Sequence, residues 1–330
     1  MKILIRHEHN ASNYIYSGIA NAFVTRGDEP AFWYQDQVPA FDVFNTFEPD
    51  IFIGQGYNLD RATIKCIKKR PDLKVLLKVG CWGEVCNDVD TDEYPILMHT
   101  QEEVEKVEQI SSSIPKQNIA LFNYVHPNRK DYLMGDWQKN LANTIGLLPA
   151  ADPMYYFQEI PQQKLMCDIG FVGGYWPYKG QNFDKYIIPL CYPLGKYNIK
   201  IFGNQTWPVP QYMGLSSDVT TRNLFSSATI CPNVSEPHAN VFGFEINERI
   251  FKLAASKAFF ISDPIESLTE DIFTKGEAVV AKDPEHFHSL IEDAINSPDI
   301  RDKHITACYE TVMKSHTYAH RVNQIMESFD

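Results

Sequence analysis

Residues 167–183 read CDIGFVGGYWPYKGQNF, and this stretch decides the fold. A strand-like stretch from Cys167 to Val172 ends in two glycines and leads toward a helix from about Asn182. That is the strand, turn and helix of a nucleotide-binding α/β unit, with a glycine spacing that departs from the usual dinucleotide fingerprint. The chain has already opened once in the same way: KILI at 2–5 reads as a strand, and Ile15, Ile19 and Phe23 then recur at helical spacing up to Gly27. The turn at 173–174 therefore marks a restart, the first strand of a second Rossmann-like unit.

The segments between these two openings support that reading. DIFIG (50–54), KVLLKVG (74–80), PILMH (95–99) and NIALFNY (118–124) are apolar runs suited to buried strands, with helical patterns at 60–69 and 101–111 between them. Strands alternating with helices imply a parallel sheet covered on both faces. LLPAADP (147–153) and the polar residues through Gln163 lack periodicity and read as a linker. The alternation resumes with NIKIFGN (198–204), ATICPN (228–233), KAFFISD (257–263) and EAVVA (277–281), and ends in two amphipathic helices that part near His316. A chain of 330 residues is long enough for two cores, since single cores stop growing at roughly 250 to 300 residues. The expected class is α/β, two Rossmann-like domains facing a cleft. The N-terminal domain spans 1–155, the C-terminal domain 160–310, and a closing helix at 311–330 is placed to pack back on the first.

Composition narrows the function. Apolar residues make up 44% and charged residues 22%, and no apolar run approaches the roughly 20 residues that a transmembrane helix needs. Charges follow Ile5 too soon for a signal-peptide core, so a cytoplasmic location is expected. The seven cysteines are scattered without a CxxC, which argues against a disulfide framework or a structural zinc site. A net charge of −12 without a basic stripe argues against a nucleic-acid partner.

Ligands of open α/β units bind at the carboxyl ends of the strands, where turn amides and helix N-termini favour a diphosphate. At that end of the second unit Gly173 and Gly174 leave room for a phosphate, Tyr175 and Trp176 could wall the site, Lys179 could reach an anionic oxygen, and Asn204 follows the next strand. Farther on, Ile246, Ile250, Leu253 and Ala254 give a helix its buried face and place Glu245, Asn247, Glu248 and Arg249 in its first turns. Carboxylates there suit sugar hydroxyls, and an arginine with the helix dipole suits a departing diphosphate. The same residues are also two acidic-to-basic i,i+4 pairs, Glu245 with Arg249 and Glu248 with Lys252, worth only about 0.3 to 0.5 kcal/mol each on a solvated face.

DIGFVGGYWPYKG (168–180), FGFEINERIFKLAASKAFFISDPIESLTEDIF (242–273) and the tail from Gly276 through HTYAHRVNQI resemble, in order and spacing, the CgeB-like group of GT-B glycosyltransferases. The likeness covers about half the chain, nearly all of it in the second domain. It implies a glycosyltransferase that moves a sugar from a nucleotide-diphosphate donor to an acceptor hydroxyl of a glycan or another molecule. It also implies a donor site lined by Gly173, Gly174 and Tyr175, with Lys179 and Arg249 at the diphosphate and Glu245 and Asn247 at the sugar. No metal and no cofactor beyond the donor are implied, protein cations taking the metal's part. Two positions depart from the family: Lys252 stands where relatives carry a second glutamate, a role Glu248 could assume, and Ser256-Lys257 replaces a Gly-Gly pair.

In the first domain His7, with Glu8 and His9, leaves the first strand, and His7 is the candidate base for an inverting reaction. Gly54-Gln55-Gly56-Tyr57 and Gly80-Cys81-Trp82-Gly83 end two further strands in a way that suits an acceptor sugar, whose apolar faces stack on rings. Two other readings stand beside this one. The D-x-D patterns of Asp88, Asp90 and Asp92 could hold a divalent cation in a metal-dependent GT-A-like transferase. A two-lobed sugar- or nucleotide-binding protein that closes by a hinge is the non-catalytic alternative.

Overall fold

The computed structural model describes residues 1–6, 13–88, 93–94 and 97–330. The chain divides into two compact units: residues 1–148 together with 318–330, and residues 149–317.

The first unit is a six-stranded, all-parallel sheet. Its strands are β1 (Lys2–Arg6), β2 (Glu29–Trp33), β3 (Ile51–Gln55), β4 (Lys74–Lys78), β5 (Ile119–Asn123) and β6 (Asn143–Gly146), in the spatial order β2-β1-β3-β4-β5-β6. The chain steps from β1 outward to β2 and then returns past β1 to β3, so the topological switch point lies between β1 and β3. Successive residues of the central strands, Ile3 to Ile5, Ile51 to Ile53, Val75 to Leu77 and Ile119 to Phe122, are all fully buried. Because neighbouring residues of a strand face opposite ways, both faces of the sheet are covered. The connections carry α1 (Asn13–Arg26), α2 (Ala40–Phe47), α3 (Arg61–Lys68), α4 (Val85–Asp88), α5 (Gln101–Ser111) and α6 (Lys130–Asn140). Side-chain oxygens of Asp60 and Thr100 cap α3 and α5 by accepting from Thr63 N and Glu103 N.

The second unit opens with β7 (Cys167–Val172), followed by α7 (Pro177–Tyr186), β8 (Ile199–Phe202), α8 (Asp218–Ser227), β9 (Ala228–Ile230), α9 (Pro237–Phe242), α10 (Glu248–Ala255), β10 (Ile261–Ser262), β11 (Val279–Val280), α11 (Pro284–Ile295) and α12 (Pro298–Ser315). Parallel strands in the order β8-β7-β9 form one sheet and β10-β11 another. The two are joined at Asn233, which bridges Ser262 while its N–H donates to Ile261 and its carbonyl accepts from Asp263. The core is aromatic: Trp207 stacks on Phe183 with ring centroids 4.6 Å apart and meets Phe171 edge-on at 5.4 Å.

The final helix, α13 (Tyr318–Glu327), belongs to the first unit and packs on α1. A Cβ on Gly18 of α1 would stand 2.2 Å from the Tyr318 ring, so glycine is what lets that ring lie against the helix.

Three local expectations need correction. Of the strand expected over 95–99, residues 95–96 lie outside the described residues, and in the described part, 97–99, Met98 makes an isolated bridge to Cys81 in place of a strand. The helix after β7 starts at Pro177 rather than near Asn182, because proline is already preorganised for the first helical position. The helix placed over Glu245 to Arg249 starts at Glu248, with Glu245 outside it in the left-handed region at φ 69°.

Candidate functional site

The residues that could receive a nucleotide lie at the carboxyl end of β7 and the loops beside it. Gly173 donates its N–H to Phe202 O (2.8 Å), and its carbonyl accepts from Trp207 Nε1 (2.8 Å). A Cβ on Gly203 would stand 2.1 Å from the Gly173 carbonyl oxygen, and one on Gly174 would stand 2.2 Å from Asn204 Oδ1. The loops after β7 and β8 thus meet backbone to backbone, and their glycines are the condition for that contact. α7 then begins behind Trp176 with Pro177 in its first turn and no side chain capping its amides.

Arg249, in the first turn of α10, reaches back across this turn. Its Nε donates to Val172 O (3.0 Å), and Nη1 donates to Asn233 Oδ1 and Val234 O (both 3.2 Å). The guanidinium lies over the Phe171 ring at 4.9 Å. These anchors turn Nη2 toward Gly173, 3.2 Å from the place a Cβ would take. Burial pulls the Arg249 pKa below the usual arginine range, against the opposing charges of Glu248, Glu236 and Asp263.

The loop between β9 and α10 is held by a buried polar network. Asp263, fully buried, accepts from Ser235 N (2.9 Å), Asn240 Nδ2 (3.0 Å), and the hydroxyls of Ser235 and Ser262 (both 3.3 Å). Burial raises its pKa, and these donors counter the shift. Asn247 caps α10 through Oδ1, which accepts from Arg249 N (3.1 Å), while its Nδ2 donates to Ser235 Oγ (3.2 Å). Both ends of Asn247 are therefore used in shaping the loop.

Of the two i,i+4 pairs expected from spacing, one forms. Lys252 Nζ lies 3.6 Å from Glu248 Oε1. Burial alone would raise the Glu248 carboxyl, but Lys252 and Arg249 outweigh it and hold the carboxyl below its ordinary value. Glu245 does not pair with Arg249: its Oε2 sits 2.5 Å from His238 Nε2, and His238 Nδ1 meets the Tyr178 hydroxyl at 2.8 Å. Lys179 Nζ donates to Glu236 Oε1 at 2.7 Å, and that contact outweighs burial in keeping the Glu236 carboxyl low. Tyr175 turns onto its own helix: its hydroxyl donates to Asp184 (2.7 Å), and its ring meets Trp207 at 5.2 Å.

The structure therefore brings Gly173 to Arg249, Gly174 to Asn204, and the side chain of Lys179 to Glu236. Gly203, Trp207, Glu236, His238 and Asp263 complete the surroundings and were not singled out in the sequence. Gly203 was visible as the glycine ending NIKIFG, whereas nothing in the sequence marks His238. His7, with Glu8 and His9, lies outside the described residues, as do Asp90 and Asp92. Asp88 accepts from the Tyr132 hydroxyl (2.8 Å). Among the described residues no group of three or more His, Cys, Asp or Glu is arranged to hold a metal ion.

Residues 188–327 match the family described as glycosyl transferase-like. The whole chain is similar in structure to a glycosyltransferase from Rickettsia africae ESF-5, with a TM-score of 0.65 and 12% identity over 99% of this chain and 97% of that one. An α-glucosyltransferase solved with UDP and a 13-mer DNA containing an HMU base gives a TM-score of 0.63 at 12% identity, over 100% of this chain and 99% of the other. Phage T4 BGT, solved with UDP and Mn2+, gives 0.58 at 14% identity over 100% of both chains.

The fold is GT-B. No curated protein sequence matches the chain. No helix among the described residues is long and apolar enough to cross a membrane. The turn at Gly173, with Arg249 behind it, lies at the carboxyl end of β7, the end of a strand where open α/β sheets bind ligands.

Proposed function

We propose that this chain is a glycosyltransferase that takes a sugar from a nucleotide-diphosphate donor to an acceptor hydroxyl, with the donor on the second unit and the acceptor on the first. The observation that carries the reading is the approach of Arg249 Nη2 to Gly173. A guanidinium fixed by three carbonyl-type acceptors, with one nitrogen directed at a side-chain-free turn, is built to meet an anionic oxygen there. The similarity to the glycosyl transferase-like family over 188–327, which includes Arg249, supports it.

In this reading the diphosphate lies against Gly173 and Gly174, with Arg249 and the amides of the α7 N-terminus stabilising the charge that develops as the bond to the sugar breaks. Lys179 joins when it exchanges Glu236 for phosphate. Glu245, directed by His238, and Glu248 accept sugar hydroxyls, and Asn204 borders the turn. Asn247 contributes as the cap that sets Arg249 rather than as a sugar ligand. The CgeB-like assignment and catalysis without a metal belong to the same proposal. UDP is the first nucleotide to try, since two of the structural neighbours were solved with it. One of those neighbours was solved with DNA; the net charge of −12 here favours an uncharged glycan or small-molecule acceptor.

The test is calorimetric titration with UDP, GDP and ADP, followed by turnover of the corresponding sugar in EDTA. One nucleotide is expected to bind and its sugar to turn over undiminished. Absence of binding by all three would end the reading, and activity that disappears in EDTA would replace it with metal-dependent transfer.

A further inference from the structure

At the carboxyl end of β4 in the first unit stands a cluster of three rings that the donor site does not use. Trp82 stacks on His99 with ring centroids 5.0 Å apart and planes 22° from parallel. Trp137, fully buried and held by its Nε1 donating to Gly80 O (2.8 Å), meets both rings edge-on, Trp82 at 5.0 Å and His99 at 6.2 Å. Gly80 makes the assembly possible, since a Cβ there would stand 2.6 Å from His99 N and Met98 O. The imidazole is therefore fixed in place by packing, and His99 and Trp82 are both only half-buried.

The chemistry of the ring follows from one contact. His99 Nδ1 lies 3.0 Å from the carbonyl oxygen of Cys81, which also accepts from His99 N at 3.1 Å. A carbonyl oxygen only accepts, so Nδ1 carries the hydrogen, and in the neutral ring the lone pair falls to Nε2. Among the described residues Nε2 has no hydrogen-bond partner. A histidine oriented by a carbonyl on one nitrogen, with the other nitrogen left as an acceptor, is the arrangement a general base requires. It is held against Cys81, three residues past the end of β4, the strand beside the switch-point strand β3, and so lies at the strand ends where open α/β sheets bind ligands.

We propose that His99 is the base that takes the proton of the acceptor hydroxyl, an inference that rests on the glycosyltransferase reading above. The acceptor O–H bond breaks with its proton passing to Nε2, and the oxygen lone pair forms the bond to the anomeric carbon. The bond from that carbon to the diphosphate oxygen breaks, its electron pair leaving with the nucleoside diphosphate, and Nε2 then returns the proton to water. A base acting in this single displacement inverts the anomeric centre.

Two measurements test this on the full chain. Long-range proton–nitrogen correlation on the parent protein, which needs no donor, is expected to show Nδ1 of His99 protonated; an Nε2–H tautomer would overturn the proposal. Hydrolysis of UDP-glucose, with water as acceptor, is followed by proton NMR in the parent and in His99→Asn, whose amide can still donate to Cys81 O. The first sugar released is expected to be the β anomer, and His99→Asn is expected to lose about 10²- to 10⁴-fold in kcat, together with the acid limb of the pH–rate profile. UDP affinity, which reads the second unit and thus the glycosyltransferase proposal separately, is expected to stay within about twofold of the parent, as suits a residue with no part in nucleotide binding. Release of α-glucose, or a variant kcat close to the parent's with the pH profile unmoved, would overturn the assignment.

Discussion

Arg249 Nη2 stands 3.2 Å from the point where a Cβ on Gly173 would be, while the other two guanidine nitrogens are tied to Val172, Asn233 and Val234. Lys252, three residues on, is committed instead to Glu248 and to the Tyr156 ring, 5.3 Å from its Nζ. Arg249→Ala is therefore expected to weaken UDP binding about tenfold to a hundredfold, the range of a lost charge-assisted hydrogen bond of roughly 1.5 to 3 kcal/mol. Lys252→Ala should leave binding within about threefold. Because Arg249→Ala also strips partners from Asn233 and Val234, Arg249→Lys is the companion variant, and it should fall between the two since an ammonium cannot reproduce the fork. Calorimetry on the three proteins decides, and equal small losses would leave Arg249 with only the structural task of holding Val172, Asn233 and Val234.

Gly203 offers a test of the turn that leaves every charged group untouched. Its missing Cβ would lie 2.1 Å from a backbone oxygen, that of Gly173, which cannot rotate away. Gly203→Ala should thus push the β7 turn out of place and cost about 1 to 3 kcal/mol, as overpacking does. UDP affinity should fall along with the melting temperature. Gly174→Ala meets only the side-chain oxygen of Asn204, which can move, so its melting temperature should change less.

How far the sequence carried these conclusions depended on the kind of signal. The central strands were legible because each is a continuous apolar run, the mark of a strand buried on both faces. Edge strands β2, which holds Pro30 and has Trp33 as its one buried residue, and β6, four residues long, carry no such run. The restart at Cys167 was legible because a strand-like stretch and a glycine pair coincide. At the candidate site the sequence identified Gly173 and Arg249 but not their relation, which depends on the 75 intervening residues folding β9 and β10 together at Asn233. Asn247 illustrates the limit: its place ahead of a helix is visible, but that its amide caps the helix on one side and reaches Ser235 on the other is not. His99 was hidden inside a run read as a strand, and only the bridge of Met98 to Cys81 reveals why its ring meets that carbonyl.

Stability should respond to pH through Glu103. The residue is 2% exposed, and burial lifts the pKa of its carboxyl from 4.5 to about 7 despite the Gly80 amide and Lys78. A carboxyl raised in the folded state makes the native protein bind more protons than the unfolded chain between those two values, so stability is lost as pH rises through that window. At 1.36 kcal/mol per unit the loss is about 3 kcal/mol by pH 8. Glu103→Gln removes the titration. The difference in unfolding free energy between variant and parent, read from urea titrations at pH 5 and pH 8.5, should move in the variant's favour by that order, and a pH-independent difference would show that the carboxyl is not held up.

The return of the chain to the first unit is set by Gly18 and Tyr318, and it gives a prediction in which the sign of an effect reverses. In the parent protein a methyl group at 18 would stand 2.2 Å from the Tyr318 ring, which Tyr14 also contacts edge-on at 5.7 Å. Gly18→Ala should therefore destabilise by about 1 to 3 kcal/mol by displacing α13. In a Tyr318→Ala background the obstruction is gone. Alanine is favoured over glycine inside a helix by about 0.8 to 1 kcal/mol, so the same substitution should now stabilise. A double-mutant cycle measured by urea unfolding isolates the coupling. If Gly18→Ala destabilised equally in both backgrounds, the glycine would be serving α1 itself and not the docking of the last helix.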